Sequence, residues 1–213
     1  MLVLFSLNFY GRTVSKTLHS RIVNDDELVL RLQRGDEWAF QLLVRRFRQK
    51  LFAIAFGITL DAEESQDIVQ EVFLQAYRCI ASFKGDSSLA TWLHRITVNR
   101  CLNWKRRWTR RFKWLHVSLD QQDDDAPPLK PVSDLPSPES RVQDAQTQAM
   151  IENALKMLPE QARVVFVLRE IEGLSYADIA EVAGIKPGTV RSRLFNARKR
   201  LRSILQPQMK EER

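Results

Sequence analysis

The sequence predicts an all-α protein made of two small helical domains joined by a flexible acidic linker. Apolar residues recur at spacings of three and four through most of the chain, and few segments alternate as strands do. Glycine is scarce, 7 in 213 residues, too few for the many tight turns of an all-β architecture. Composition breaks once, at 119–140, where QQDDDAPPLKPVSDLPSP holds five of the 8 prolines and so forms neither a packed helix nor a central strand. Between 120 and 144 there are seven acids against two bases, which keeps such a tether extended.

The expected domain limits are 1–24, an N-terminal extension; 25–114, the first helical domain; 115–140, the linker; 141–207, the second helical domain; and 208–213, a tail. Residues 1–10 are apolar but too short to span a bilayer. No basic residue precedes them and no small-residue cleavage site follows, so a signal peptide fits poorly. The extension reads as disordered, or as a start codon placed too early.

The first domain opens at 25–32, with Asp25 as the expected N-cap, and breaks at Gly35-Asp36. Trp38, Phe40, Leu42, Leu43, Phe47 and Leu51 then continue at helical spacing, with Arg45, Arg46, Arg48 and Lys50 on other faces, and the helix extends through Ile54 and Phe56. A third helix is expected over 61–80. Its early acids Asp61, Glu63 and Glu64 suit the positive end of a helix dipole. Val69, Phe73, Ala76 and Ile80 form its buried stripe, with Ile68 and Val72 beside it. Asp67, Gln70 and Glu71 cluster on another face; spacing alone makes that a solvated surface.

Phe83, Lys84, Gly85, Asp86, Ser87 and Ser88 form a loop, with Asp86 or Ser87 as cap of the next helix. That helix contains Leu89, Trp92, Leu93 and Ile96. Arg95, Asn99 and Asn103, spaced four apart, stack on its polar side. Asparagine is a poor helix former, so two in line are unexpected. From 100 to 113 there are seven basic residues, among them Arg106 and Arg107, and no acid, with Trp104, Trp108, Phe112 and Trp114 interleaved. Rings among cations suit a single strand, whose bases stack while its backbone is held by charge. Equally, the tryptophans pack the core and the arginines solubilise.

The second domain resumes over 141–158 and 160–171, with Pro159 between. Residues 174–202, LSYADIAEVAGIKPGTVRSRLFNARKRLR, read as a helix-turn-helix. Gly184 supplies a cheap positive φ at the end of the first helix, and Pro187 fits the first turn of the second. Val190, Leu194, Ala197 and Leu201 form an apolar stripe there. Thr189, Arg191, Ser192, Phe195, Asn196, Arg198 and Lys199 are the candidate duplex readers. From 186 to 202 there are seven bases and no acid, a surface that matches guanine edges and phosphates in a major groove.

A formal net charge of +7 and a pI near 9.7 favour a polyanionic partner, nucleic acid before membrane surface. Cys79 and Cys101 are no close pair, which excludes a disulfide scaffold and suits a reducing, cytoplasmic setting. His19, His94 and His116 are scattered. No paired carboxylates, nucleophile with base, or metal cluster stands at meaningful spacing, so neither enzyme activity nor a cofactor is expected.

The segments GDEWAFQLLVRRF, DIVQEVFLQAYR, FKGDSSLATWLHRITVNRCLNW, LPEQARVVFVLREIEGLSYADIA and GTVRSRLFNARKRL, in that order around an acidic proline-rich tether, resemble bacterial extracytoplasmic-function sigma factors of the sigma-E-like group. The resemblance covers about 25–207 and implies sigma region two at 25–114 and sigma region four at 141–207. It implies that the helix at 61–80 docks on the clamp helices of core RNA polymerase, with Asp67, Gln70 and Glu71 as contacts. Phe83 to Ser87, with Asn99 and Asn103, match the reader of the promoter's upstream-of-start element, where a non-template base leaves the stack for a pocket. Arg106 and Arg107 lie in the stretch that would grip the melted strand. The helix around Arg191 matches the reader of the farther element as closed duplex. Asn196 stands where many sigma-E-like relatives carry arginine; asparagine favours adenine over guanine if it reaches a base. An anti-sigma partner, often membrane-anchored, and a stress signal are also implied. The chain itself is expected not to insert into a membrane. The alternatives are a stand-alone dimeric helix-turn-helix regulator and, from another class, a nucleic-acid-processing enzyme.

Overall fold

A computed structural model describes residues 24–116 and 148–211, with side chains over 24–109 and 148–206. Among them every regular element is helical. The elements are α1 (Asp25–Gln33), α2 (Glu37–Thr59), α3 (Ala62–Cys79), a single 3-10 turn (Ile80–Ser82), α4 (Leu89–His116), α5 (148–156), α6 (Glu160–Glu170), α7 (Tyr176–Ala183) and α8 (Pro187–Glu211). The expected extension, apart from Asn24, lies outside the described residues, as do the linker beyond residue 116 and the last two residues of the tail. Residues 115 and 116, expected in the linker, continue α4.

Local chemistry sets the boundaries. Asn24, not the expected Asp25, caps α1: its side chain accepts from the Glu27 N–H at 2.8 Å, leaving Asp25 in the first turn beside the positive helix end. Asp36 caps α2 through the N–H of Trp38 at 2.9 Å, and Asp61 caps α3 through that of Glu64 at 3.0 Å. The cap of α4 is Ser88, which accepts from the Thr91 N–H at 3.0 Å; Asp86 and Ser87, the expected caps, sit outside the helix. In α7, Ser175 and Asp178 exchange hydrogen bonds in a capping box, and Gly184 ends the helix at φ 64.

Helices α1 to α4 pack as one group, with α2 central, and α6 to α8 pack as another. The groups then pack on each other, α2 against α6 and α4 against α7, so that one buried apolar cluster runs through both. A close approach is at Gly57. A Cβ there would meet Val167 Cγ2 at 2.8 Å and Ile171 Cδ1 at 3.2 Å, so the helices meet here because position 57 has no side chain.

Two buried polar groups sit at this seam. Arg163, 4% exposed, donates from Nη1 to Ile58 O at 3.0 Å and from Nη2 to Lys156 O and Leu158 O at 3.0 and 3.2 Å. It neutralises the negative ends of α2 and α5 together. His94, on α4, is buried with Nε2 3.9 Å from Glu172 Oε2. Burial, and after it the nearby Lys50, pulls the imidazole down to about 4. His94 is therefore neutral at physiological pH, and the contact is no ion pair. Burial raises the Glu172 carboxyl, with Lys50 opposing.

Candidate nucleic-acid interface

The candidate duplex-reading face is built by α8. Val190, Leu194, Ala197 and Leu201 are all buried, as their spacing requires. That stripe fixes the helix's rotation and turns Arg191, Ser192, Phe195, Asn196, Arg198 and Lys199 outward. Thr189 is half-buried in the first turn. Phe195 is 67% exposed, an unusual state for an aromatic ring, and it is chemically suited to a thymine methyl group. Arg198 differs from its neighbours: its Nε and Nη2 hold Glu170 Oε1 of α6 at 3.1 and 2.6 Å. Within this domain Arg198 therefore ties the second helix to the scaffold.

The second candidate surface lies on α4 and the loop before it. Phe83 is half-buried, its ring 5.2 Å from that of Trp92. Gln33 of α1 donates to Ile80 O at 3.3 Å and to Phe83 O at 3.0 Å, which anchors the root of the loop. Beyond that root Lys84, Gly85 and Asp86 are exposed, Ser87 is half-buried, and Gly85 has φ 79, a region open to glycine. Asn99 and Asn103 are exposed one turn apart on α4, and Arg106 and Arg107 are exposed beyond them. The loop and the asparagines are thus presented by one helix and its cap.

The two readings of the interleaved aromatics divide by residue. Trp104 is half-buried against the core and hydrogen-bonded to Glu64, whose carboxyl is raised chiefly by burial. Trp108 is 49% exposed, in the basic stretch. The side chains of Phe112 and Trp114 lie outside the described residues. Lys105 is lowered, first by burial and then by Arg163, so it too belongs to the packed side of α4.

On α3, Asp67, Gln70 and Glu71 are exposed along one side. Glu71 is held by Arg100 of α4, Nη1 to Oε2 at 2.8 Å, and the same guanidinium grips Gln75 at 2.9 and 2.8 Å. Leu74, 54% exposed, continues the row at the i+7 position from Asp67, and Tyr77, 57% exposed, lies next to it. Sequence reasoning missed Leu74. Its signal was an apolar residue at the spacing of the polar row, outside the buried stripe. Sequence reasoning also missed Arg163, whose signal was an arginine inside the apolar run ARVVFVL.

The description "Sigma-70 region 2" matches residues 43–111, and "Sigma-70, region 4" matches residues 148–201. Over 191 residues the chain is 39% identical to the RNA polymerase sigma-H factor of Pseudomonas aeruginosa, covering 88% of this chain and 96% of that one. The chain belongs to the sigma-70 family of RNA polymerase sigma factors. It is also 36% identical to the ECF RNA polymerase sigma-E factor of Escherichia coli strain K12, over 88% of this chain and 97% of that one. Among solved structures it resembles the sigma factor RpoE in complex with the anti-sigma factor NepR from Bartonella quintana, at TM-score 0.60 and 26% identity over 78% of this chain and 96% of that one. CnrH, solved with the cytosolic domain of CnrY, shares the fold at TM-score 0.63 and 23% identity, over 86% of this chain and 97% of that one.

The two candidate surfaces fall in different family matches. The duplex reader falls within the region 4 match, and the asparagine stripe falls within the region 2 match. Among the described residues no helix is long and apolar enough to cross a membrane.

Proposed function

We propose that this sigma factor gives core RNA polymerase its choice of promoter, through two DNA elements read in two physical states. Arg191, Ser192, Phe195 and Asn196, with Thr189 and Lys199 flanking, read the farther element as duplex. Arg198 adds to that surface by exchanging Glu170 for a phosphate. The loop from Phe83 to Ser87, with Asn99 and Asn103, takes an unpaired base, and Arg106 and Arg107 hold the strand that follows. Binding the strand better than the duplex shifts the DNA toward its open form. The chemistry of RNA synthesis remains with the polymerase; this chain acts without cofactor and as no enzyme of its own.

The observation that carries this reading is the pairing of an outward basic recognition helix with a separate asparagine stripe beside a basic tract, within one family member. The polymerase contact falls on α3, at Asp67, Gln70 and Leu74, with Glu71 steadied by Arg100. Residues 25–114 and 141–207 act as the two modules and 115–140 as the tether. The protein works in the cytoplasm in a stress response. Its inhibitor is an anti-sigma protein, possessed also by the structural relative RpoE, and that partner carries whatever membrane anchor the system has. A stand-alone dimeric regulator would need no exposed Leu74 row.

The test is binding of the purified full chain to core polymerase. Leu74→Ala and Gln70→Ala should each weaken the complex, Leu74→Ala by about 1–2 kcal/mol. Unchanged binding in both would remove α3 as the docking element. A wild-type chain that ignores polymerase yet dimerises on duplex DNA would replace this function with the regulator.

A further inference from the structure

Asn99 and Asn103, proposed above to read a base, are each followed on α4 by a residue tied to α3. Arg100 donates from Nη1 to Glu71 Oε2 at 2.8 Å, and from Nε and Nη2 to Gln75 Oε1 at 2.9 and 2.8 Å. Trp104 is hydrogen-bonded to Glu64, and the indole N–H is its one side-chain donor. Positions 99 and 103 share one line along the helix, and positions 100 and 104 share the next line, about 100° around. The ties stand where apolar packing gives out. Among the described residues Cys101 is the last fully buried side chain of α4, and Asn103, Arg106 and Arg107 beyond it are exposed. A base-reading amide must be held within about 0.5 Å and about 10–20° of its working geometry. Past Cys101 that precision has to come from side-chain bonds. A guanidinium fork on two acceptors resists rotation, because turning α4 would break several bonds together. Glu71 and Gln75 lie one turn apart on α3, so the same fork fixes where α4 sits along α3. The Arg100–Glu71 pair is 35% and 46% exposed and adds little stability, so its effect is on orientation.

We propose that Arg100 is a positioning residue for strand reading: its fork on Gln75 and Glu71 sets the rotation of α4 at which Asn99 and Asn103 face the base, with Trp104 on Glu64 as the second fastening. The inference rests on the strand-reading assignment above. Arg100 acts through the asparagines and touches no base.

The experiment uses the full chain bound to core polymerase. Fluorescein-labelled single strands carry the nearer promoter element taken from mapped start sites, with each position changed in turn to the other three bases. Anisotropy gives the affinities, and the readout is the ratio between best and worst base at the most selective position. Lower stability alone leaves that ratio unchanged in the folded chain. Gln75→Ala removes two of the three bonds at a residue outside both proposed contact surfaces; it should lower the ratio about three- to tenfold, and Arg100→Ala at least as much. Arg100→Lys, a point donor without the fork, should restore part of the ratio, and Gln75→Glu, a charged acceptor, should keep it at the wild-type value. Trp104→Phe, which keeps a ring and loses the N–H, should lower it about twofold. A loss in Arg100→Ala that is uniform across bases, with the salt slope reduced by about 0.7 and Gln75→Ala at wild type, would make Arg100 a phosphate contact and overturn the proposal. A wild-type ratio in both alanine variants overturns it too. If Arg100→Ala fails to fold, by circular dichroism, Gln75→Ala and Gln75→Glu decide. Asn99→Ala separates the two levels. If it lowers the ratio while Arg100→Ala and Gln75→Ala do not, the positioning role alone is lost. If the wild-type complex shows no base preference at any position, the strand-reading assignment is lost with it.

Discussion

The two helices proposed to face DNA, α8 and α4, have the same ingredients and opposite surroundings. Each has a buried apolar side and a basic outer one. In α8 the stripe of Val190, Leu194, Ala197 and Leu201 faces its own module, and among the described residues the opposite side faces solvent apart from the Arg198–Glu170 pair. In α4 the packing continues around the helix: Leu93, Val98 and Cys101 are buried, His94 meets Glu172, Arg95 meets Glu181, and Arg100 holds Glu71 and Gln75. A duplex offers its groove from outside, and a helix with one free side suffices. A strand must be enclosed, and a helix that encloses it needs neighbours on several sides.

The contrast can be broken most strongly at Arg163. Arg163→Ala leaves three carbonyl oxygens, two of them in buried bonds, without this donor and should lower stability by about 3–5 kcal/mol in urea unfolding, loosening the seam at α2 and α5. Folding and duplex affinity of an isolated α8 surface would not distinguish such a loss, so scattering should accompany it.

Acid should act on the same seam. The imidazole of His94 sits at about 4 in the fold against an ordinary 6.5, so the unfolded chain binds the extra proton more readily. Stability from this group is full above 6.5 and falls as pH drops toward about 4. The loss is on the order of 3 kcal/mol when complete. Glu172, raised in the fold, works in the opposite direction once it protonates, so the His94 slope is cleanest in the upper part of the window. Thermal melts of His94→Gln should lose that slope; an unchanged slope would move its origin elsewhere.

On the α8 side, Arg191→Ala should cost about 1–3 kcal/mol in duplex binding and leave stability alone. A uniform loss across sequences would make Arg191 a phosphate contact; a loss confined to one base position would make it a base reader. Asn99→Ala should spare polymerase binding and slow promoter opening about tenfold, the scale of one lost base contact. If opening is untouched, the pocket lies elsewhere on α4. The smallest effect belongs to Glu170→Gln. Its pair with Arg198 is half in water and contributes no more than about 1 kcal/mol of stability. Duplex binding should tighten slightly as the guanidinium is released.

What the sequence could show follows from the range of each interaction. Apolar periodicity is local, so α2, α3, α6 and α8 were legible, and so were the buried stripes of α3 and α8; in α2 the expected Trp38 is exposed and Ala39 is buried instead. Gly184 and Pro187 announced the turn between α7 and α8 because φ preferences belong to single residues. Caps were legible to within one residue: Asn24 displaced Asp25, and Ser88 displaced Asp86 and Ser87, since adjacent polar residues compete and only tertiary packing decides which one turns inward. The docking of the two modules was not legible. It rests on Gly57 meeting Val167, on Arg163 reaching Ile58, and on Arg95 reaching Glu181, partners separated by roughly a hundred positions in sequence. A mid-helix glycine and an arginine in an apolar run marked two of these places without naming what they meet.

Everything turns on whether one chain reads two elements on behalf of polymerase. Run-off transcription with purified core enzyme, with start sites mapped at base resolution, tests this directly. Start sites should fall downstream of a shared two-part sequence, with Arg191→Ala relaxing or weakening the farther part and Asn99→Ala the nearer. Starts that do not depend on the chain, or that respond to both substitutions at the same element, would contradict it.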